Sequence, residues 1–462
     1  MNQNRLAILV GGGPAPGING VIGAATIEAV NRGMSVIGLY DGFKHISSEH
    51  FVPERHTIEL KIKDVARIHF DGGSILRTAR TTLLDESELA TTDVAHPDKK
   101  KVDRVLNHFT ELGVTHVITI GGDDTALSAR FVAERTNGRI RVVHVPKTID
   151  NDLPLPGDIP TFGFNTARDL GSELVANLME DARTTARWFV VVAMGRHAGF
   201  LALGVGKATG ATVTLIPEEF GETTTLQAIA DVLEGSMLKR RAMGRADGVA
   251  VVAEGLAYRL GDCDELERLL GKAVPRDAAG HPRLAEFPLA RMLTDELIRR
   301  FEARGDKMTI IPQTIGYMLR CARPIPIDMA YCRDLGNGAV RLLVDESLNL
   351  AGGVMVTIQG SNLVPVTFAD MVDPKTNRTR VRLVDINSDA YRVARAYMIR
   401  LEAHDLRDPV MLAKLAAAAK MNEEEFAQRY HRAATRLFPD SAAGLNVEIP
   451  PPDMSGKKPV GR

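Results

Sequence analysis

Short apolar, β-branched runs recur along the chain, and glycine and acidic residues gather at their carboxyl ends. HVITI at 116–120 and RIRVVHV at 139–145 read as buried strands. Between them Leu127, Phe131 and Val132 mark one face of a helix, which Asp123, Asp124 or Thr125 can cap and Asn137-Gly138 can stop in a left-handed turn. The pattern predicts a βαβ unit. A right-handed crossover makes its strands parallel and brings GGDDT and PKTIDND to one carboxyl edge, where open α/β sheets bind ligands. The chain opens the same way, with a strand at 5–10, the turn GGGPAPGING, an alanine-rich helix ending near Arg32-Gly33, and the strand MSVIGLY. Glycines in such a turn admit an anion to the backbone, and the helix start directs partial positive charge toward it.

Further along, 85–101 reads as a polar surface excursion before a helix at 102–112. The proline-rich run LPLPGDIPTFGFNTA excludes regular structure, and a helix follows over 167–186. A second set of units then appears: WFVVVAMGR (188–196), ATVTLIPE (211–218), a helix over 224–240, and GVAVVAEG (248–255). Residues 256–283 are charged and turn-rich, which predicts low order. A helix at 290–304, a helix then a strand within 334–360, and a strand at 381–386 (VRLVDI) complete the pattern. The fold class expected is therefore α/β, with two Rossmann-like doubly wound domains, mainly parallel sheets and a helical C-terminal extension. The boundaries expected are 1–161, completed by about 324–400, for the larger domain, 162–323 for the smaller, and 401–462 for the extension, whose end at 450–462 reads as a disordered tail.

Composition narrows the partners. In 462 residues, 57 Lys and Arg meet 58 Asp and Glu, so the net charge of -1 gives no reason to expect nucleic acid or an anionic membrane. Three cysteines without a CxxC pair fit a reducing compartment, and the longest apolar stretch, 188–206, is broken by Arg196 and His197. A cytoplasmic protein is expected.

The acidic edge carries the chemistry. Asp123 and Asp124 beside Asp150 and Asp152 repel one another unless a proton or cation lies between them, and Mg²⁺ with a phosphate suits carboxylates and glycine amides in this arrangement. The alternative is that they cap helices and close turns. Lys147 can supply charge to a phosphate or pair with a carboxylate, and one carboxylate left off the metal can deprotonate an attacking hydroxyl. Asp71 to Thr82 offers Arg77 and Arg80 among hydroxyls, as a phosphate loop or a solvated turn. Arg196 and His197 aim charge inward or sit in a solvated loop. Glu254 is a ligand for a sugar hydroxyl or a cap, and Arg320 and Arg323 with Tyr317 suit a phosphate monoester. Asp41 alone supports a ribose-binding reading, and the GxGxxG fingerprint fails at Pro16.

Taken together GGGPAPGIN, GGSILRTAR, GGDDT, PKTIDND, MGR, the AEG after a strand and GYMLR resemble the phosphofructokinase family, in the same order over roughly residues 5–345. The resemblance implies transfer of a phosphoryl group to the 1-hydroxyl of fructose 6-phosphate, a reversible step of glycolysis, with Mg²⁺ as cofactor. It implies Asp150 as general base, Asp123 as the Mg²⁺ ligand, and Gly12, Arg80 and Lys147 at the diphosphate. It implies Thr148, Ile149, Asp150, Met194, Gly195, Arg196, Glu254, Tyr317, Met318, Leu319 and Arg320 around the sugar phosphate. Arg187 matches a residue contributed across a subunit interface, which implies a homo-oligomer, a dimer or tetramer. Asp124 and Lys147 stand where ATP-using members carry glycines, which implies pyrophosphate as donor: a carboxylate and a long side chain crowd the α-phosphate of ATP. The alternative donor is ATP itself. Gly23 stands where effector-regulated members carry arginine, and Ile311 replaces a second arginine of the phosphate clamp, leaving Lys307 as its substitute. Two readings from other classes are a dinucleotide-dependent oxidoreductase and a non-catalytic sugar-phosphate sensor.

Overall fold

The computed structural model describes residues 4–435 except 86, 89–93, 261–266, 268–270 and 272–286. Its strands, in chain order, are β1 (Arg5–Val10), β2 (Ser35–Leu39), β3 (Thr57–Glu59), β4 (His116–Gly121), β5 (Arg141–Pro146) and β6 (Trp188–Ala193). There follow β7 (Val213–Leu215), β8 (Gly248–Ala253), β9 (Ile310–Ile315), β10 (Val354–Gln359) and β11 (Asn362–Thr367). Seven form one sheet in the order β11-β10-β5-β4-β1-β2-β3, and four form another in the order β7-β8-β6-β9. Every pairing is parallel except those of β3 and β11, which close the edges of the larger sheet in antiparallel sense. The inner strands β4, β6 and β8 are buried along their whole length, as continuous apolar runs covered by helices on both faces require.

In the larger sheet the chain runs outward from β1 to β2 on one side and from β4 to β5 on the other. That reversal opens a crevice at the carboxyl ends of β1 and β4. The helices Ile18–Asn31 and Pro326–Val344 pack together over one face, with Ile18, Val21, Leu335 and Val340 in a shared core. The opposite face buries Phe109 and Phe131 under the helices Lys99–Glu111 and Asp123–Thr136.

Three expectations change. The run VRLVDI at 381–386 is not a strand; its amides and Arg382 bind loop groups rather than a sheet edge, while Val381 and Leu383 face outward. The helix expected after 334 begins at Pro326, with proline in the first turn where its missing N–H costs nothing. The C-terminal residues are helical but not appended: Leu401, Leu415, Phe426 and Tyr430 lie in one core with Trp188, Leu233, Leu293 and Phe301 of the smaller sheet's layers. Of the segment 256–283, the start belongs to a 3₁₀ turn, Glu254–Arg259, and most of the remainder, including Cys263, lies outside the described residues, as does the tail at 436–462. Among the described residues no helix is long and apolar enough to cross a membrane.

Candidate active site

The carboxyl ends of the two sheets face each other across a cleft of about 450 Å³. On the larger sheet, β1 delivers the glycine turn. The Gly12 N–H donates to Ala79 O (2.9 Å) and Thr78 Oγ1 donates to Gly12 O (2.7 Å), which pins the segment carrying Arg80 beside the turn. Gly12 has φ of 79°, the left-handed conformation that favours glycine, and a Cβ there would lie 3.2 Å from Lys147 Nζ and press on that ammonium. From β4 the chain enters the helix Asp123–Thr136. Its N-cap is Gly122, and Asp123 and Asp124 occupy the first turn without capping it, where the exposed amides favour negative charge. From β5 come Lys147, Thr148, Ile149 and Asp150, with the Asp150 N–H donating to Thr148 Oγ1 at 3.0 Å.

The smaller sheet supplies the facing wall. After β6 the Arg196 N–H donates to Asp150 Oδ2 at 3.3 Å, a hydrogen bond that crosses the cleft. After β8, Glu254 Oε1 accepts the Gly195 N–H at 3.1 Å. After β9, Arg320 lies over the Tyr317 ring and reaches the glycine turn of the other sheet: a Cβ on Gly13 would be 3.3 Å from its guanidinium carbon.

Burial and like charge tune these groups. Lys147 is 3% exposed, and its ammonium donates to the Gly13 carbonyl. Burial, then Arg320 and Arg80, draw its pKa down to about 7. Burial and the charge of Asp150 push Glu254 up to about 7. Asp152 is raised as well, by burial and then by Asp150 and Asp123. A cationic floor under the glycine turn and a crowd of acids at its rim can hold a doubly charged anion and a divalent cation side by side.

The cleft brings together Gly12, Arg80, Asp123, Asp124, Lys147, Thr148, Ile149, Asp150, Met194, Arg196, Glu254, Tyr317 and Arg320. Four expected residues stay out of it. Gly195 stands behind, binding Glu254; Met318 is 53% exposed; Leu319 is fully buried in the smaller sheet's core; and Arg187 precedes β6, at the end of that strand away from the cleft. Lys307 likewise precedes β9 and is exposed. Arg77 stacks on Tyr40 and pairs with Asp41, which also holds His45, so neither serves the cleft; Arg323 lies over Phe70. Gly13, Pro14, Thr81, Gly122 and Thr125 also line the cleft, each adjoining a motif already singled out, and Asp152 and His197 join them. Gly23 packs against the Val65 carbonyl, 3.2 Å from where a Cβ would be, so a longer side chain would have to displace that turn.

The family model for phosphofructokinase matches residues 5–343. The chain belongs to the phosphofructokinase family. Two relatives carry the name pyrophosphate--fructose 6-phosphate 1-phosphotransferase: one from Thermotoga maritima is 54% identical over 426 residues, covering 92% of this chain and 98% of that one. The other, from Naegleria fowleri, is 47% identical over 439 residues, covering 93% and 95%. A solved pyrophosphate-dependent phosphofructokinase from Nitrosospira multiformis superposes with a TM-score of 0.60 over 86% of this chain and 91% of that one; at 17% identity it speaks for the fold. Within this phosphofructokinase cleft, Lys147 and Asp124 both lie at the end formed by the larger sheet, beside Gly12, Gly122 and Arg80.

Proposed function

We propose that the chain transfers a phosphoryl group from pyrophosphate to the 1-hydroxyl of fructose 6-phosphate, reversibly, giving fructose 1,6-bisphosphate and phosphate. The observation that carries the donor choice is Lys147, a buried ammonium bonded to the Gly13 carbonyl in the floor of the glycine turn. In this reading Asp124, which lines the same cleft, crowds and repels the α-phosphate of a nucleotide, while the ammonium neutralises the far phosphate of pyrophosphate. The relatives' names support the same reading.

In this reading Asp150 takes the proton of the 1-hydroxyl, its carboxylate held by the Arg196 N–H and its own backbone N–H by the Thr148 hydroxyl. Arg320, over Tyr317, holds the sugar phosphate, Glu254 accepts a sugar hydroxyl, and Arg80 with the Gly12 turn holds the donor. Asp123 is the assigned Mg²⁺ ligand. The residues fit that ion: after burial, the charges of Asp150 and Asp123 raise the Asp152 pKa, a repulsion that a cation relieves. Among the described residues no group of three or more ligating side chains is assembled, and Mg²⁺ characteristically uses one or two carboxylates with waters and substrate phosphates. Bound there, it neutralises charge on the transferring phosphate. Arg187, before β6, lies away from this chain's own cleft; in this reading it serves the cleft of a neighbouring subunit, in a homo-oligomer, while Lys307, before β9, also lies away from the cleft and does not complete the phosphate clamp within one chain.

A donor panel with fructose 6-phosphate and Mg²⁺ tests the assignment. Turnover with pyrophosphate and little with ATP is expected; turnover with ATP alone overturns it.

A further inference from the structure

Residues 379–384 lie beyond the stretch matched by the family model, yet they bind the backbone of one cleft wall and, through the Glu218 carboxylate, reach the other. The Arg382 N–H donates to Asp152 O at 2.7 Å. Its guanidinium spreads over the same loop: Nε and Nη2 donate to Asn151 O at 3.1 and 2.9 Å, Nη2 also to Asn151 Oδ1, and Nη1 to Ile159 O at 2.8 Å. Asn151, between Asp150 and Asp152, holds φ of 58°, a left-handed conformation that a non-glycine residue keeps only when its surroundings enforce it. Thr161 supports it from the other side, its N–H donating to Asn151 Oδ1 at 3.0 Å and its hydroxyl to Thr148 O at 2.6 Å.

Two residues on, the Val384 N–H donates to Glu218 Oε1 at 2.9 Å. The same carboxylate accepts the Gly199 N–H at 2.9 and 3.2 Å, at the end of the loop that carries Arg196. Arg382 also lies over the ring of Phe200, 5.3 Å from its centroid, on the smaller sheet's side. At the other end Thr379 Oγ1 donates to Asp123 O at 3.4 Å. A single extended segment thus touches the backbone at Asp123, at Asp152 and, through Glu218, at Gly199.

We propose that 379–384 is a strap that fixes the Asp150 turn against the Arg196 loop, and that Arg382 is its positioning residue. Arg382 does not line the cleft, so it acts on the reaction only through Asn151 and the two aspartates beside it. A planar fork with several donors suits this task, because separate carbonyls must be held at fixed angles; a lysine ammonium satisfies one or two of them and leaves the others free. The inference rests on Asp150 being the base, as proposed above, but not on the identity of the donor.

The test compares R382A and R382K with the wild type in the full-length protein, using whichever donor the wild type accepts. A mis-set base lowers turnover more than binding, so R382A should lose about tenfold or more in kcat while KM for both substrates stays within about twofold. R382K should fall between. Added guanidinium ion should restore several-fold of the lost kcat in R382A, and methylammonium should not. Wild-type kcat in R382A overturns the proposal. So does a loss of kcat that guanidinium leaves unchanged, or a loss confined to KM. Failure of pyrophosphate as the wild-type donor would refute the functional assignment while leaving this comparison intact.

Discussion

Replacing Lys147 with Met keeps the aliphatic stem and removes the charge. The side chain is 3% exposed and its ammonium reaches the Gly13 carbonyl, so what is lost is one charged hydrogen-bonding group in a water-poor site. Such bonds are worth about 1.5–3 kcal/mol, which at 1.36 kcal/mol per decade predicts a fall of about 10- to 160-fold in kcat/KM for pyrophosphate. Folding should not suffer, because a buried cation is replaced by a group that needs no solvation. The pH dependence gives a second, independent reading. With a pKa of about 7 in the free enzyme, Lys147 is charged below that value and neutral above it. Wild-type kcat/KM for pyrophosphate should therefore fall as pH rises through about 7, and the ratio of wild type to K147M should shrink with it. Ionisation of pyrophosphate itself is common to both proteins and cancels in the ratio. Initial rates at limiting pyrophosphate, taken from about pH 6 to about pH 9, provide the measurement. A ratio that stays constant over that range, or a K147M enzyme within about twofold of wild type, would refute the placement of this ammonium at the donor.

Replacing Asp150 with Ser should lower kcat by about 10²- to 10⁴-fold, the span for a lost general base; an unchanged kcat in steady-state assay would remove it from that role. Glu254, held near 7 by burial and Asp150, is protonated below that pH and a carboxylate above it. If it accepts a sugar hydroxyl, KM for fructose 6-phosphate should decrease as pH rises through about 7, and E254Q should abolish the trend; identical profiles would exclude the contact. Phe426→Ala should cost about 3–5 kcal/mol in denaturant unfolding, because the ring is fully buried in the smaller sheet's core. A loss under about 1 kcal/mol would mean the C-terminal helices contribute little to that core.

The sheet edges were legible because the inner strands are unbroken apolar runs that end in glycine and charge, as at HVITI before GGDDT and GVAVVA before Glu254. Where a strand is an edge, that signal fades. β9 carries Pro312 and three exposed positions, which an outermost strand tolerates and a periodicity argument passes over. VRLVDI erred in the other direction, since its alternation reflects outward-facing Val381 and Leu383 on a strap whose amides bind loop carbonyls and Glu218. In the cleft, motifs located the carboxylates and arginines but could not resolve neighbours within one short turn. Over Tyr317–Arg320, Met318 projects into solvent, Leu319 into the core and Arg320 into the site, a division set by the turn's orientation. The alanine-rich run 409–419 reads as helix from propensity alone, and nothing local marks which face Leu415 and Ala416 present to Trp188 and its neighbours.

The position of that last core in the chain bears on how the protein is made. β6, β7 and β8 leave the ribosome well before Leu415, Phe426 and Tyr430, which cover the core those strands help form and are among the last described residues to be synthesised. β10 likewise pairs with β5 only after some two hundred intervening residues have emerged, since Val354 is opposite Val143. Neither half can be sealed during translation in the order in which it begins. The nascent chain must carry open apolar surface until the helices that bear Leu415 and Tyr430 have emerged, with long loops still to close, which slows its maturation and lengthens the interval in which a chaperone can bind.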